Sequence, residues 1–366
     1  MGVRRIGLLT AGGDCPGLNA LIRAVVLAAL ERRWDVLGIE DATHGLVDLE
    51  YHRPLGNHWL TLDDVEDILA RGGTILGTSN KSDPFHYVVE RDGQRVEMDV
   101  SDRVMENYRA LGLDGMVWVG GDGSMRIADR MADKGMQVVG VPKTIDLDLG
   151  GTDYTFGFHT AVETITAAVD RLQDTAESHD RVMIVEVMGR NAGFLALHGA
   201  LAGGAHICLI PEVPYRIEPI LAKIRDRCHA GLPYSIAIVA EGAAPAGGEP
   251  SYAGPRALGE MRKLLGAGAR LAAALEPHLD LDTRVTVLGH VQRGGSPNQF
   301  DRILATRFGV AAVEAIERGD FRKMVSLRTP DIVTVPIADA IAKPRRVERE
   351  STLLHAARSV GIEIGE

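Results

Sequence analysis

Cysteine is scarce in this chain: 366 residues include three, Cys15, Cys208 and Cys228. Their number is odd and their spacing is not that of a zinc cage. Neither a disulfide framework nor a structural zinc site is expected, and a reduced, cytoplasmic setting is. A basic excess is also lacking. Forty Lys and Arg against fifty Asp and Glu leave a net charge of −10, which argues against nucleic acid or an anionic membrane as partner, since both need a positive face. Long apolar runs are missing too. The most apolar helical pattern, Leu18 to Leu30, is interrupted by Asn19 and Arg23, so no membrane span is expected. The start, Met1-Gly2-Val3-Arg4-Arg5-Ile6, enters a strand pattern at once, without a signal-peptide core, and Ile6 breaks the myristoylation pattern.

What remains is ordinary for a globular protein, with 45% hydrophobic and 25% charged residues, and long enough for two lobes. Short β-branched runs alternate with helical patterns. Strands are expected over 5–10, 35–40, 115–119, 137–141, 182–187, 206–210, 234–240 and 284–289. Helices are expected over 17–33, 62–71, 101–111, 124–134, 159–177, 191–202, 217–230, 256–275 and 300–318. Runs such as Val182-Met183-Ile184-Val185 are apolar throughout rather than alternating, as in a parallel sheet covered by helices on both faces. The fold class is therefore α/β, doubly wound. Tyr87 to Val100, with Asp92-Gly93 at its centre, predicts a surface hairpin, and Ala243 to Pro255 a Gly/Pro-rich loop. From about Met324 the pattern is short strands and a final helix, with no chemistry in it.

The chemistry gathers at glycine turns that follow strands. Gly120-Gly121-Asp122-Gly123-Ser124 joins an apolar strand to a helix. Glycines there admit a bulky anion, and the N–H groups opening the helix point at it. Asp122 would repel phosphate unless a hard divalent cation lay between, so a Mg²⁺-bound polyphosphate is expected. Thr10-Ala11-Gly12-Gly13-Asp14 is a second such junction and Gly72-Gly73-Thr74 a third glycine turn. Neither is a P-loop or the dinucleotide glycine pattern, and either alone is also what a tight βα turn looks like. In Pro142-Lys143-Thr144-Ile145-Asp146-Leu147-Asp148, an extended segment would turn both aspartates the same way, one to deprotonate a hydroxyl and one to help hold the metal. Met188-Gly189-Arg190 before a helix start, Glu241 at a strand end, and His290-Val291-Gln292-Arg293 suit a sugar phosphate. Arg181, Arg190, Arg284 and Arg293 supply the positive charge that the acidic total conceals.

Taken in order, from Gly-Gly-Asp-Cys-Pro-Gly-Leu-Asn-Ala through Gly-Gly-Asp-Gly-Ser, Pro-Lys-Thr-Ile-Asp, Met-Gly-Arg, Pro-Glu-Val-Pro and Glu241 to Gly-His-Val-Gln-Arg-Gly-Gly-Ser-Pro, these motifs resemble the phosphofructokinase family over roughly 3–320. The resemblance implies two Rossmann-like three-layer lobes with mainly parallel sheets and an active site in the cleft between them. It divides the chain into a nucleotide and Mg²⁺ lobe, 1–157 plus 292–340, and a sugar-phosphate lobe, 158–291 plus 341–366. The implied reaction is Mg²⁺-dependent phosphorylation of the 1-hydroxyl of fructose 6-phosphate. Asp146 would be the base, Asp122 the metal ligand, Asp148 a support for metal and phosphoryl, and Arg190 a further catalytic residue. The donor would meet Gly13, Asn80, Lys81, Gly121, Asp122, Gly123 and Ser124. The sugar phosphate would meet Thr144, Asp146, Met188, Gly189, Arg190, Glu241, His290 and Arg293. Arg181 and Arg284 match arginines that the family donates from a neighbouring subunit, so a homodimer or homotetramer is implied.

The donor stays open at this level. In the family a glycine at position 123 goes with ATP, because a side chain would fill the space of the α-phosphate. Lys143 is typical of pyrophosphate enzymes, although some ATP-using relatives carry it. Leu147 stands where the family usually has asparagine, and Asn80-Lys81 where the bacterial ATP enzymes have an arginine and an aromatic. Leu27 and His206 replace an arginine and a glutamate of the bacterial effector site, implying weak control by ADP and phosphoenolpyruvate. Two other readings compete. NAD and lipid kinases share Gly-Gly-Asp-Gly but not the later motifs, and a non-catalytic sugar-phosphate sensor would be expected to lose Asp122 or Asp146.

Overall fold

The computed structural model describes residues 3–51, 56–91, 93–253, 262–264 and 266–366. Two sheets organise it. The larger has seven strands in the spatial order Asp331–Pro336, Lys323–Arg328, Val138–Pro142, Gly115–Gly120, Arg5–Thr10, Asp35–Ile39 and His58–Leu60. Its five inner strands are parallel and each edge strand is antiparallel to its neighbour. The smaller sheet, Thr283–Val287, Val182–Val187, Ser235–Ala240 and Ile207–Leu209, is parallel throughout. The continuously apolar strands are buried along their length, Gly115–Gly120 and Val182–Val187 among them, as two-faced cover requires. The α/β class with mainly parallel sheets, read from the sequence, is the fold observed.

Parallel strands send every following loop to one edge of the sheet. In the larger sheet the chain leaves Arg5–Thr10 toward Asp35–Ile39 on one side, while Gly115–Gly120 lies on the other. The crevice at that reversal is where ligands dock in open α/β sheets. Ala11 N–H to Val119 O, 2.8 Å, closes the two strand ends together there. The polar interruptions of the first helix, Leu18–Glu31, have a purpose in this packing. Buried Asn19 donates to Arg71 O and Gly72 O, both at 3.1 Å, and accepts from Ile75 N, while Arg23 reaches Glu66 O.

Those bonds explain one departure from expectation. The helix expected over 62–71 stops at Leu62–Val65, because the carbonyls of 70–72 bond Ser296 and Asn19 rather than a continuing helix. Helix Phe194–Gly203 begins later than 191. Of the helix expected over 256–275, Ala267–Leu275 is present, Lys263–Leu264 is instead a short strand paired antiparallel with Tyr252–Ala253, and 254–261 lie outside the described residues. Asp92, the centre of the expected hairpin, lies outside them too; its arms, Tyr87–Arg91 and Gln94–Met98, are paired antiparallel. The C-terminal portion adds more than short strands. After supplying two strands to the larger sheet it crosses to the smaller one, where Cys208 N–H bonds Glu363 O and Glu363 N–H bonds His206 O.

Candidate active site

Strand Gly115–Gly120 ends at Gly121, whose extended backbone starts helix Asp122–Asp133. Asp122 is thus the first residue of the helix, with its carboxylate beside N–H groups that have no partner inside the helix. The Ser124 hydroxyl packs between the turns, 3.3 Å from where a β-carbon on Gly12 would stand. The 78–81 loop is docked on the same turn. Gly12 N–H bonds Ser79 O at 3.1 Å, and the Thr78 hydroxyl donates to Gly12 O at 2.6 Å. That brings Asn80 alongside, its Oδ1 3.9 Å from the same point, with Lys81 next to it on the surface. Gly13, Asn80, Lys81 and 121–124 therefore share one rim. The Gly72 turn is packing rather than binding, since its backbone lies directly on the Gly295 carbonyl.

Gly123 is exposed, and a β-carbon on it would meet nothing within 4 Å. The space over Gly123 is open. Lys143 is used differently. It is 3% exposed, and its amine lies under the Gly12–Gly13 turn, donating to Gly13 O. Burial holds its pKa below the usual lysine range.

The base loop follows strand Val138–Pro142. It is not extended, as the sequence reading had it. Leu147 adopts a left-handed backbone, φ 57°, and the chain turns there. A buried leucine in that conformation costs about 1–2 kcal/mol, whereas glycine adopts it routinely and asparagine on occasion. The two aspartates remain close enough for the charge of Asp148 to act on Asp146. Thr144 fixes the turn: its hydroxyl donates to Asp148 Oδ1 at 3.2 Å and accepts from Asp146 N at 3.1 Å. Asp146 Oδ1 is out of solvent with no hydrogen-bond partner among the described residues. Burial first, then the Asp148 charge, pushes its pKa up to about 7, with Glu241 adding to this and Arg293 and Lys143 opposing it. Asp148 is also raised, by burial and by the charge of Asp122.

From the smaller sheet, the loops after Val182–Val187, Ser235–Ala240 and Thr283–Val287 arrive at the same place. Gly189 has φ 133°, and Gly242 lies so close on the Arg190 carbonyl that only glycine fits there. This contact sets Arg190 beside Glu241, whose carboxyl burial raises and Arg190 lowers. Arg190 Nη2 donates to Arg262 O at 2.6 Å. After Val287 the chain forms a 3₁₀ turn, Gly289–Arg293, rather than the expected strand to 289. His290 stands exposed on it, while Arg293 reaches back to Asp14 O at 2.9 Å. Its Nη1 lies 2.7 Å from where a side chain on Gly13 would begin. Buried Gln292, to which the sequence reading gave no role, accepts from Met188 N at 3.3 Å and donates to Gly289 O at 2.9 Å, tying the Met188 and His290 loops.

Arg181 and Arg284 are not brought to this site. Both pair with Asp282 at the opposite ends of their strands, Arg181 at 3.2 Å. The six residues of strand Val182–Val187 lie between Arg181 and Met188, which puts the two about 23 Å apart at the rise of a strand.

Asp122 shows how the site would treat a cation. Arg126, one helical turn on, grips both its oxygens at 3.0 and 3.1 Å, and also donates to Ile341 O at 2.7 Å. The Arg126 guanidinium thus neutralises the carboxylate that a cation held by Asp122 would otherwise neutralise. Among the described residues no three acidic, histidine or cysteine side chains form a cage. Asp122 and Asp148 are the carboxylates present that a Mg²⁺ could share with the phosphates of a substrate.

A glycine-cradled anion site facing a buried, raised carboxylate and clustered arginines, in an α/β protein of two lobes, defines a phosphotransferase acting on a phosphorylated small molecule. The chain belongs to the phosphofructokinase family, whose model, Phosphofructokinase, matches residues 5–316. It is 48% identical over 363 residues to the ATP-dependent 6-phosphofructokinase of Chloroflexus aggregans, covering 99% of this chain and 98% of that one. It is 46% identical over 364 residues to ATP-dependent 6-phosphofructokinase 1 of a Nostoc strain, covering 99% of each. Phosphofructokinase of Pichia pastoris in the T-state superposes with a TM-score of 0.79 at 31% identity, covering 98% of this chain, which spans 39% of that longer one. The pyrophosphate-dependent enzyme of Marinobacter aquaeolei shares the fold, TM-score 0.77 at 21% identity, over 99% of this chain and 88% of that one.

Proposed function

We propose that this chain transfers the γ-phosphoryl group of ATP to the 1-hydroxyl of fructose 6-phosphate, giving fructose 1,6-bisphosphate. Asp146 carries the reading: a partnerless buried carboxylate oxygen on a group pushed up to about 7 is what a general base working near neutrality requires. It would take the proton of the attacking hydroxyl while Thr144 holds the loop. Arg190 and Arg293 would offset charge on the transferring phosphoryl group and on the sugar phosphate, with Glu241, His290, Met188 and Gly189 shaping the sugar side. Asp122, with Asp148 behind it, would hold Mg²⁺, which supplies charge neutralisation of the donor phosphates. Gly13, Gly121, Gly123, Ser124, Asn80 and Lys81 would line the donor. ATP is favoured over pyrophosphate because the space at Gly123 is open and Lys143 is committed beneath the Gly12 turn.

The larger sheet draws its strands from 5–142 and 323–336, and the smaller from 182–287. This supports a donor lobe of 1–157 plus 292–340 and a sugar lobe of 158–291 plus 341–366. Arg181 and Arg284, too far along their strands to serve their own site, would serve that of a second copy in a homodimer or homotetramer. Cys15 and Cys208 are free and buried, and burial pushes the Cys15 thiol up to about 12, in keeping with a cytoplasmic enzyme. No helix among the described residues is long and apolar enough to cross a membrane.

The reaction and its donor are tested together by assaying fructose 6-phosphate and Mg²⁺ with either ATP or pyrophosphate. Turnover is expected with ATP. Turnover with pyrophosphate alone would overturn the donor, and none with either would overturn the reaction. A second expectation concerns control. Leu27 packs on the core, and His206 Nδ1 accepts the Ile236 N–H at 2.9 Å, its ring kept neutral by burial that lowers its pKa to about 4. Neither position is free to hold an effector phosphate. Saturating ADP or phosphoenolpyruvate should leave the fructose 6-phosphate saturation curve where it was, and a marked shift in half-saturation or sigmoidicity would contradict this.

A further inference from the structure

The segment Pro211-Glu212-Val213-Pro214 takes no part in the chemistry above, yet its carboxylate is bound from two directions. Both oxygens of Glu212 accept the N–H of Gly193, at 3.0 and 3.1 Å, and Oε1 also accepts the N–H of Val347 at 2.8 Å. Gly193 caps helix Phe194–Gly203 and lies three residues after Arg190. It is packed hard under Ile210, so that a side chain there would collide. Val347 lies on the stretch that leaves helix Ile337–Ala342 and crosses between the sheets. Two residues earlier on that stretch, Arg345 donates its backbone N–H to Asp148 O at 2.8 Å. The Arg345 guanidinium donates to Asp153 O at 2.6 Å and Thr152 O at 3.3 Å, and lies 5.1 Å from the ring of Phe194, the residue after Gly193.

The base loop and the Arg190 loop are thus joined by one short path: Asp148 O, Arg345, Val347, Glu212, Gly193. From 345 to 347 the backbone spans at most about 7 Å, so there is little slack in it. A carboxylate serving only as a helix cap would need Gly193 alone; the bond to Val347 adds the second loop.

We infer that Glu212 is a positioning residue: with 345–347 it sets the separation between the Asp146–Asp148 loop and the Arg190 loop, so that a sugar held by its phosphate presents its 1-hydroxyl to the base. This rests on the reading that 188–190 hold the sugar phosphate.

The test uses Glu212→Ala and Glu212→Gln in the full chain, with exposed Glu348→Gln as the control. Alanine should raise KM for fructose 6-phosphate about tenfold, the effect of one lost charged hydrogen bond, and lower kcat, with KM for ATP unchanged. Glutamine keeps one acceptor oxygen and should recover most of the loss. Amide exchange should quicken together at 193–196 and 345–348 in the alanine variant. Lowered stability with both kinetic constants as in the wild type, or faster exchange on one side only, would overturn the inference. Should alanine prevent folding, the glutamine variant decides: about a threefold rise in the sugar KM is expected, and no change overturns it. Arg190→Ala separates this inference from the site reading. If that change leaves KM for fructose 6-phosphate unaltered, the assignment of the sugar loop fails, while the paired exchange still reports the tie.

Discussion

Asp146→Asn is expected to lower kcat by about 10² to 10⁴, the usual span for loss of a general base, while leaving the affinity for ATP in place. The same substitution should stabilise the protein, in a pH-dependent way. The folded-state pKa of Asp146 lies above the ordinary value of 3.8, at about 7, because burial and the Asp148 charge oppose its ionisation. Its contribution to stability is therefore fully present below about pH 4 and is lost as pH rises through 7. Asparagine does not titrate. The variant should gain on the wild type between about pH 4 and 7 and hold a constant advantage above that, on the order of 1–4 kcal/mol from the size of the shift. Steady-state kinetics and metal-free thermal melts at pH 5 and pH 8 check both halves. Turnover near that of the wild type would remove Asp146 from the base role. An equal melting difference at the two pH values would show that its carboxyl is not raised.

Gly123→Asp is expected to lower kcat/KM for ATP by about 10² to 10³. A β-carbon on Gly123 meets open space in the protein alone, so the substitution should fold without strain. The penalty arises only with the donor bound, where the new carboxylate would stand in the volume of the α-phosphate. Two like charges about 4 Å apart near a protein surface repel by about 4 kcal/mol, which sets the scale of the loss. Pyrophosphate has no α-phosphate and should be penalised much less, so the ratio of the two donors should move toward pyrophosphate. KM for fructose 6-phosphate should stay put. An unchanged kcat/KM for ATP would mean that the nucleotide does not pass over Gly123.

The chemistry was legible in the sequence where it is local. Asp122 could be placed at a helix start because a strand pattern ends at Gly120 and a helical one follows, and the structure starts the helix at Asp122 itself. Thr144, Asp146 and Asp148 were legible as a group because they lie within five residues. The conformation between them was not. Leu147 turns left-handed although nothing in its side chain favours that, so the extended segment inferred from the sequence was wrong, and with it the reason for expecting the two acids to point the same way; what the structure shows is that the Asp148 charge acts on Asp146. Arg126, Gln292 and Glu212 went unassigned. Each works through two or three hydrogen bonds to backbone or carboxylate, a signal that the sequence carries only as a polar residue near a motif. Pro-Glu-Val-Pro was visible as a motif, but its bond to Val347 spans 135 positions.

By itself the sequence determined the α/β class, the order of the glycine turns and the identity of the acids and arginines. It could do so because a parallel sheet delivers every strand-end loop to one edge, so chemistry written locally is assembled without further instruction. Tertiary structure alone decided that Lys143 lies under the Gly12 turn, that Asp146 is held near neutrality, that Arg181 and Arg284 face away from their own site, and that Glu212 ties two loops together. Each depends on burial and on neighbours far along the chain, and solvent exclusion and through-space charge have no local pattern in a sequence.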